Sequence, residues 1–504
     1  MVKSNPRSKL PMARYLQSHL QTQRFIIILH YLPVFFTLAA CQIVFPIITT
    51  SPDGTPNPDN TKQPTTPIPI QLNSTITATQ SSPSSKLTIA PSEMRGISLQ
   101  FWHPWTGEEG NLIAELADEF NLSNEWKIQI HPKYKGSLDE LSEQVSSAIN
   151  TTGQIPDLVV GYTYQAQNWN SARPIVLDLQ SFLEDPVWGM TKETVEAIYP
   201  VFRDSDLVGG KRWGFPALRS GEILFYNVSW AKELGFNSPP STPQHFLDQA
   251  CTATKANLKD VNKDNDGSGG WLITNDFSTV LTWMNAFGSK ILKAENNGYQ
   301  FNTPEVSNTF EFLRKIYDDK CSWISESDFP GDEFAYRRGI VLSGSTSDIP
   351  YVAKRFTQAG NPDAWTALTF PGNSGNPVID VYGPAYVIFH SSPPRELAAW
   401  LFVKWLSLPE NHARLAQAGY TLPLSINEAS LIRTMVGINT TWVTTFDFIS
   451  LAVPEPSLQS WQQVRWAVSD ASRQLYQWYF KADQVPNLVR LLNETANDLN
   501  SHAP

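Results

Sequence analysis

The 504-residue chain has few cysteines, few charges and no clustered basic residues, and each shortage excludes a class of protein. Three cysteines are too few for a disulfide scaffold, and their spacing is not the CxxC pattern of a metal site. Charged residues make up 17% of the chain, and the formal net charge is −10. Since phosphate contacts need clustered lysine and arginine, we expect no nucleic-acid partner and no binding to an anionic membrane surface.

Catalytic signatures are also missing. The sequence contains no GxSxG, HExxH, Walker or GxGxxG motif, and it lacks the eightfold strand–helix alternation of a barrel. A glycoside hydrolase needs only two suitably spaced carboxylates, and the sequence leaves Glu108 and Glu222 open as such a pair. We nevertheless expect a binding protein without catalysis and without a cofactor.

The first 95 residues have the composition of an export and tethering segment. Basic residues precede the apolar run FIIILHYLPVFFTLAAC at 25–41, which is short and irregular for a spanning helix. LAAC resembles a bacterial lipobox, which predicts a signal peptide over 1–41 and acylation of Cys41; an uncleaved anchor is the alternative. Residues 42–95 are rich in Pro, Ser and Thr, which predicts a disordered tether. Either alternative places the rest of the chain at the cell surface or in the periplasm.

From about residue 97 the pattern alternates strands and helices. The runs ISLQFWH, WKIQIHPK and PDLVVG predict strands, with amphipathic helices between them, the first beginning at a capping box formed by Thr106 and Glu109. This order predicts α/β lobes with mixed, mostly parallel sheets flanked by helices. Ligands bind beyond the carboxyl ends of such strands. There Trp105 is predicted to face a cleft, whereas Trp102 is predicted to lie in the core.

The ordered motifs of the chain resemble the extracellular solute-binding proteins of ATP-driven importers, in particular the maltose- and glycerol-phosphate-binding group. The resemblance covers about residues 97–500 and rests on FWHPWTGEEGNLIAELADEFN, GQIPDLVVG, RPIVLDLQSFL, GFPALRSGEILFYNVSWAKELGFNSPPSTPQHF, VYGPAYVIF, AAWLFVKWLSLPE, AGYTLP and SWQQVRWAV.

The resemblance implies a type II two-lobed fold joined by a hinge. One lobe would comprise residues 96–218 plus 382–453, and the other residues 219–381 plus 454–504. The crossing segments would lie near 217–221, 379–383 and 452–456, where Gly221, Gly383 and Pro384 suit a hinge.

A sugar offers apolar C–H faces to aromatic rings and hydroxyl groups to planar polar side chains. Both kinds of side chain occur in the predicted cleft loops. The candidate ligand-binding residues are Trp105, Glu108, Tyr162, Tyr164, Gln165, Arg219, Glu222, Asp276, Ser345, Tyr382 and Trp461. By resemblance, Trp461 aligns with the tryptophan that maltose-binding relatives stack on sugar; a core tryptophan is the alternative. Arg219 and Glu222 are alternatively an ion pair between the lobes.

The resemblance implies a monomeric importer subunit that delivers a carbohydrate to membrane permease subunits, itself held to the membrane only by its lipid. One departure weakens the analogy with long malto-oligosaccharide binders, because LSGSTSD at 342–348 lacks the tryptophans found there. Glycerol-phosphate binding is one alternative, with Arg219, Ser220 and Gly221 forming a phosphate nest and the serines of 343–347 offering hydroxyls. A binding module coupled to a sensor kinase is another.

Two further features stay open. Asn262, Asp264 and Asp266 match early positions of a calcium loop, but Ile273 stands where the bidentate glutamate belongs, so an acidic surface loop without metal is favoured. Outside the cytoplasm, Cys251 and Cys321 are a possible disulfide, and the resemblance places both in one lobe.

Overall fold

A computed structural model describes residues 84–503, apart from residues 152, 275, 326, 328 and 329. The predicted signal peptide, Cys41 and most of the predicted tether lie outside the described residues. The strands in chain order are β1 (Ser98–His103), β2 (Gln129–Tyr134), β3 (Leu158–Gly161), β4 (Leu207–Val208), β5 (Lys211–Arg212), β6 (Phe215–Pro216), β7 (Ser220–Asn227), β8 (Gly269–Ile273), β9 (Ser322–Ile324), β10 (Gly339–Ser345), β11 (Trp365–Leu368), β12 (Ile379–Tyr382), β13 (Ala385–Ile388) and β14 (Ala452–Pro454).

Helices cover the sheets and fill the connections between the strands. The α-helices in chain order are α1 (Gly107–Ser123), α2 (Leu138–Asn150), α3 (Thr163–Asn170), α4 (Gln180–Leu183), α5 (Lys192–Ala197), α6 (Pro200–Arg203), α7 (Val228–Glu233), α8 (Pro243–Lys259), α9 (Phe277–Ala286), α10 (Pro304–Asp318), α11 (Gly331–Ala335), α12 (Ile349–Ala359), α13 (Pro393–Leu406), α14 (Pro409–Gly419), α15 (Ile426–Arg433), α16 (Thr440–Thr444), α17 (Trp461–Leu475) and α18 (Val485–Ser501). Short 3₁₀ helices lie at Pro91–Met94, Lys263–Asn265, Thr346–Asp348, Thr445–Leu451 and Ala482–Gln484.

The first sheet has the strand order β2-β1-β3-β13-β6. Strand β1 alternates buried and accessible residues, whereas all four residues of β3 are buried, as the continuous apolar run predicted. β1 pairs in parallel with β2 and β3, whereas β13 is antiparallel to both β3 and β6. The parallel ladders join strands β1, β2 and β3, which follow one another in the chain with helices between them. Both antiparallel ladders involve β13, which enters this sheet after the chain has passed through the other sheet.

The second sheet has the order β14-β12-β7-β10-β8-β9, with β11 also paired to β7. β8 is parallel to both β9 and β10, and β12 is parallel to β14. The long strand β7 runs antiparallel to β10, β11 and β12. The two sheets therefore form the two mixed α/β lobes that the sequence predicted.

The chain crosses between the sheets at the predicted hinge positions. β6 of the first sheet ends at Pro216, and β7 of the second begins at Ser220. On the return, the apolar run VYGPAYVIF is divided between two strands, β12 and β13, which belong to different sheets. The break falls at Gly383, where a Cβ atom would lie 2.0 Å from the carbonyl oxygen of Leu218. Only glycine allows the two crossing segments to approach this closely.

The buried apolar residues form two aromatic-rich clusters that do not divide strictly by lobe, since the first includes Phe225 of β7 and the second includes Tyr164 of α3. The first is centred on helix α13, whose Trp400 and Phe402 are fully buried. The second contains Trp271, Trp283 and Trp461, all fully buried between the second sheet and its helices. Since these rings bury a large apolar area, most of the chain's aromatic residues are accounted for by packing.

Contacts with the first lobe begin before residue 97. Ser85 Oγ donates to Asp185 Oδ2 at 2.9 Å, and Met94 is fully buried. Residues 84–95, which composition assigns to the tether, thus contact the lobe surface.

The capping box predicted at the start of α1 does not form, because the side-chain hydrogen bond of the N-cap residue is missing. Thr106 is the N-cap residue, but its side chain makes no cap bond. A capping box does occur one helix later, where Ser137 and Glu140 cap α2 reciprocally.

The second lobe contains a disulfide between Cys251 on α8 and Cys321, 70 residues apart in sequence. It joins α8 to the entrance of β9, so it closes a long loop of the unfolded chain. Among the described helices, none combines the length and apolar character needed to cross a membrane.

Candidate ligand-binding cleft

A cavity of about 430 Å³ opens where the ends of β8 and β10 meet the start of β7. Its volume lies in the range of small-molecule sites. Carboxyl and hydroxyl groups supply its polar surface, on Glu222, Thr274, Asp276, Ser343, Ser345, Asp348, Tyr351 and Tyr382. The site is therefore at the carboxyl ends of parallel strands, as the sequence predicted.

Glu222 lies at the centre of the cavity wall and is 1% exposed. Thr279 Oγ1 of α9 donates to its carboxylate at 2.6 Å, and the Tyr382 hydroxyl lies 3.4 Å from its other oxygen. Burial raises the pKa of Glu222 well above its usual range, and the negative charge of Asp276 adds to the rise. Glu222 is thus held rigidly by two hydroxyl donors, with no basic partner within ion-pair distance among the described residues.

Two aspartates at chain turns face the same cavity. Asp276 is the N-cap of α9 and accepts a hydrogen bond from Ser278 N at 3.0 Å. Burial raises the pKa of Asp276. Asp348 accepts a bond from Ser345 N at 2.8 Å and caps the turn that follows β10. Each aspartate accepts a hydrogen bond from a backbone N–H group and also lines the cavity, where its carboxyl group can accept further hydrogen bonds.

A second layer of carboxyl groups lies beside Glu222. Asp380 on β12 is directly opposite Glu222 on β7 in the antiparallel ladder, so the two side chains emerge on the same face. Asp380 is fully buried, and burial raises its pKa well above the usual range. Asn285 Nδ2 lies 3.4 Å from Asp380 Oδ1. Within the described chain, Asp380 Oδ2 has no partner.

The first lobe contributes a pair of stacked tyrosines. The rings of Tyr162 and Tyr164 lie parallel, with centroids 5.0 Å apart. The guanidinium of Arg465, from α17 of the second lobe, lies 5.3 Å from the Tyr164 ring and donates to its hydroxyl at 2.6 Å. Gln167 Nε2 also donates to the carbonyl of Ser457 at 2.6 Å. The lobes therefore touch through polar bonds and a cation–π contact.

Glu455 connects the third crossing segment to this group. The Trp461 indole donates to Glu455 Oε2 at 3.0 Å, and Ser278 Oγ donates to Oε1 at 3.3 Å. Burial raises the pKa of Glu455 to about 7. Glu455 can thus change its charge near neutral pH at the boundary between the lobes.

Arg219, which the sequence suggested as a ligand contact or as a partner of Glu222, pairs elsewhere. Its Nη2 lies 2.6 Å from Asp206 Oδ2, both side chains are buried, and Nη1 donates to the carbonyl of Pro384. The alternative of an Arg219–Glu222 ion pair is wrong, because Arg219 pairs with Asp206, which follows α6. Arg219 instead ties two crossing segments together.

A buried histidine supports the same crossing. His412 Nδ1 lies 2.8 Å from Glu428 Oε1, and Nε2 lies 2.5 Å from the carbonyl oxygen of Ala217. Since both neighbours are acceptors, both ring nitrogens donate and the ring is an imidazolium. Burial opposes this charge, but Glu428 and the carbonyl outweigh burial and raise the pKa of His412.

This raised pKa predicts a pH-dependent stability. A histidine whose pKa is higher in the folded than in the unfolded protein stabilises the fold when it is protonated. Its full contribution is present below the unfolded-state pKa and is lost as the pH rises through the folded-state pKa. As the pH rises above the ordinary histidine pKa of about 6.5, we expect the parent to lose unfolding free energy that His412→Gln does not lose. Denaturant unfolding at several pH values measures this difference; parallel pH profiles would contradict it.

The predicted site residues thus fall into three groups. Glu222, Asp276, Ser345 and Tyr382 line the larger cavity. Tyr162, Tyr164, Arg219 and Tyr382 line a smaller space of about 40 Å³ beside the crossings. Trp105, Glu108, Gln165 and Trp461 line neither.

Trp105 lines neither cavity, and Trp102 packs against the first core while remaining partly exposed. Trp105 is 8% exposed and stacks on His103 in the first core, whereas Trp102 is half-buried beneath the Lys135 ammonium. Glu108 is exposed in the first turn of α1. Gln165 is fully buried, and its Oε1 accepts a bond from Tyr162 N at 2.9 Å, so it fixes the loop that bears the tyrosines.

Trp461 is fully buried and stacks against Tyr299 in the second core. This placement corresponds to the core alternative. A ligand contact of Trp461 stays a prediction, whereas its bond to Glu455 is a feature of the structure.

Sequence reasoning missed Asp348, Asp380, Glu455 and Arg465. A signal for Asp380 and Glu455 was present, since each carboxylate stands within or next to a predicted crossing segment in an otherwise apolar context.

The weak calcium-loop candidate lies in an exposed turn. Asn262 Oδ1 accepts a bond from Asp264 N, and Asp266 lies 3.8 Å from the Lys263 ammonium. In the part of the chain that the structure describes, no group of three or more acidic, histidine or cysteine side chains is arranged to hold a metal ion.

Comparison with known proteins gives matches in sequence and in fold. A family model described as bacterial extracellular solute-binding protein matches residues 115–431. The sn-glycerol-3-phosphate-binding periplasmic protein of Shigella flexneri is 24% identical over 345 residues, covering 65% of this chain and 74% of the relative. The corresponding protein of Escherichia coli K12 matches with the same identity and coverage.

Solved structures show the same fold at low identity. The cyclic α-maltosyl-1,6-maltose binding protein of Arthrobacter globiformis superposes with a TM-score of 0.67 at 16% identity, over 80% of this chain and 99% of its own. The sugar-binding protein MalE of Xanthomonas citri gives 0.67 at 18% identity, over 80% and 97%.

Proposed function

The chain belongs to the bacterial extracellular solute-binding proteins, and from this premise we propose that it captures a sugar or oligosaccharide between its lobes and delivers it to a membrane permease. The observation that carries the proposal is the cavity at the second sheet, where three carboxyl groups and several hydroxyls surround one space. Carboxylates accept hydrogen bonds from sugar hydroxyls, and the ring of Tyr382 offers an apolar face.

Charge argues against a phosphate ligand in this cavity. Glycerol 3-phosphate is a ligand to consider because the matched Shigella flexneri relative is named for binding it. Its phosphate group would need cationic side chains or backbone N–H groups as donors. The described residues that line the cavity include no lysine, arginine or histidine. Arg219, the candidate phosphate ligand, is occupied by Asp206. A sugar therefore fits the chemistry better than a phosphate ester.

Closure would follow from bonds to both lobes. The proposed lobes, residues 96–218 plus 382–453 and residues 219–381 plus 454–504, already meet at Tyr164 and Arg465. A ligand shifts an open–closed equilibrium only by its differential affinity for the two states. Tyr382 is adjacent to the Gly383 crossing and its hydroxyl lies 3.4 Å from Glu222, which supports a ligand contact of Tyr382 in the closed form.

We place the protein outside the cytoplasm as a monomer, held by a lipid on Cys41, and we expect no bond of the ligand to be broken. Cell-surface labelling with a fatty-acid analogue tests the anchor, and Cys41→Ser should abolish the label.

Titration with sugars tests the proposed function. We expect neutral mono- and oligosaccharides to raise the melting temperature and change tryptophan fluorescence, without product formation, and glycerol 3-phosphate to do neither. Asp276→Asn should weaken sugar binding by about 1–3 kcal/mol, because a charge-assisted bond is lost. Asp266→Asn, in the exposed turn, is the matched control. Saturable binding of glycerol 3-phosphate, or release of a cleaved sugar, would contradict the proposal.

A further inference from the structure

A second cavity, of about 240 Å³, lies in the first lobe between residues 174–181, strand β5 and the end of β13. The chemistry of its wall comes from Asp178, Lys211, Arg212, Trp213 and His390. His390 follows β13, whose first residue, Ala385, pairs with Gly161 at the carboxyl end of β3. The second cavity is therefore at the amino end of β3, away from the crossing at Gly383 and from the cleft.

Arg212 of β5 is a buried cation without an ion pair. Its side chain is almost fully buried; Nε donates to Gln180 Oε1 at 2.9 Å, and Nη1 donates to the carbonyl of Arg203 at 2.7 Å. Among the described residues, no carboxylate lies within ion-pair distance of the guanidinium, and Nη2 makes no hydrogen bond. Since buried charges are ordinarily paired, an anion in the cavity would supply the partner that Arg212 lacks.

Two acids near Arg212 are bonded to other cations. Asp204 lies 2.8 Å from Arg203, and Asp206 lies 2.6 Å from Arg219. Burial lowers the pKa of Arg212, whereas the charges of Asp206 and Asp204 oppose this fall. An arginine side chain nevertheless stays protonated in a protein, so the wall of the cavity keeps a positive charge.

Trp213 places an aromatic ring beside this cation. Its indole is half-buried and donates to the carbonyl of Val208 at 3.2 Å, which fixes the ring at the cavity wall. The exposed Lys211 holds its ammonium 5.8 Å from the centre of the same ring. Because an indole face packs well on the C–H face of a sugar, the wall joins a sugar-binding surface to an anion-binding group.

Asp178 limits the charge of a suitable ligand. Its Oδ1 accepts bonds from the backbone N–H groups of Gln180 and Arg212, each at 3.0 Å, which leaves its other oxygen for a hydroxyl donor. A phosphate dianion would place two negative charges near this carboxylate. A carboxylate on a sugar ring brings one negative charge together with several hydroxyl donors, so it fits the wall better.

We propose that this cavity is a second ligand site, which binds a sugar acid through its carboxylate at Arg212, its ring on Trp213 and a hydroxyl at Asp178. The inference goes beyond the proposed function, because the cleft is a separate cavity lined by no lysine or arginine among the described residues. A neutral sugar leaves Arg212 without a counter-ion, so the carboxylate is the group that the second site selects.

Isothermal titration of the purified protein with glucuronate and galacturonate tests the second site, with glucose and galactose as the neutral counterparts. Arg212→Gln should weaken binding of each acid at least about tenfold, because a charge-assisted bond is lost. Arg490→Gln, in an exposed pair on α18, is the matched control and should leave binding of the acids unchanged. Neither variant should change the binding of neutral sugars in the cleft.

Two further variants keep the test decisive if Arg212→Gln does not fold. Lys211→Gln, at an exposed side chain, should weaken binding of the acids and reduce its dependence on salt. Trp213→Phe should remove the fluorescence change that glucuronate causes in the parent. Thermal unfolding confirms that each variant is folded.

Four results would overturn the inference: no saturable binding of either acid; binding that the folded Arg212→Gln and Lys211→Gln variants retain in full; acetate binding as tightly as glucuronate, which would show no recognition of the ring; or binding that Asp276→Asn removes and Arg212→Gln leaves intact, which would place the acid in the cleft. Each leaves the proposed capture of neutral sugars to be judged by its own titration.

Discussion

Replacing Arg219 with methionine is expected to lower the free energy of unfolding by about 3–5 kcal/mol. Arg219 is 2% exposed and contacts Asp206 at 2.6 Å in an almost fully buried pair. Removing the guanidinium leaves the Asp206 carboxylate buried without a cation. Among the described side chains, Thr163 Oγ1 at 2.6 Å is then the remaining hydrogen-bond donor to Asp206. The Pro384 carbonyl loses a donor as well. Denaturant unfolding measures the loss.

Two further variants test the cause. Arg219→Met combined with Asp206→Leu removes both charges and should recover much of the lost stability, because apolar replacement of a buried pair is often close to neutral. Arg203→Met, in the exposed pair with Asp204, should cost only about 0–1 kcal/mol. A loss of less than about 1 kcal/mol in Arg219→Met alone would show that water reaches Asp206 and that the pair is not buried in solution.

Local patterns predicted the fold well because each strand and helix is specified by its own residues. The fully buried strand β3, for example, follows directly from its own continuous apolar run. The exception is VYGPAYVIF, where hydropathy is continuous across two strands. Only the glycine and proline in its centre indicated that the chain changes sheets there.

The site was predictable in part, and the reason for the rest is long-range contact. Four residues predicted from their loop positions, Glu222, Asp276, Ser345 and Tyr382, line one cavity. Asp380 could not be found in this way, since its importance comes from lying opposite Glu222, 158 positions earlier in sequence. Trp105 lies beyond a proline, which favoured exposure, but Tyr386 from the returning strand covers its ring edge-on. Partners that arrive from distant segments decide burial, and a single sequence does not reveal them.

Replacing Trp461 with alanine is expected to lower the free energy of unfolding by about 3–5 kcal/mol. The indole is fully buried, stacks against Tyr299 with ring centroids 6.2 Å apart, and meets Phe277 edge-on at 6.4 Å. Alanine would leave a cavity between α17 and α9 that the surrounding rings can only partly fill. Thermal and denaturant unfolding measure the loss, and Trp478→Ala, at a side chain that is 86% exposed, should change stability by no more than about 0.5 kcal/mol.

The variant Trp461→Phe separates packing from hydrogen bonding at the same position. Phenylalanine keeps an aromatic ring in the core but lacks the N–H group that Trp461 donates to Glu455 at 3.0 Å. We expect a smaller stability loss, of about 1–3 kcal/mol, with weaker sugar binding because Glu455 is no longer oriented between the lobes. If instead Trp461→Ala folds with nearly parental stability and loses only sugar affinity, the ring contacts the ligand. The stacking contact implied by the maltose-binding relatives would then hold, and the second core would have to open when the ligand binds.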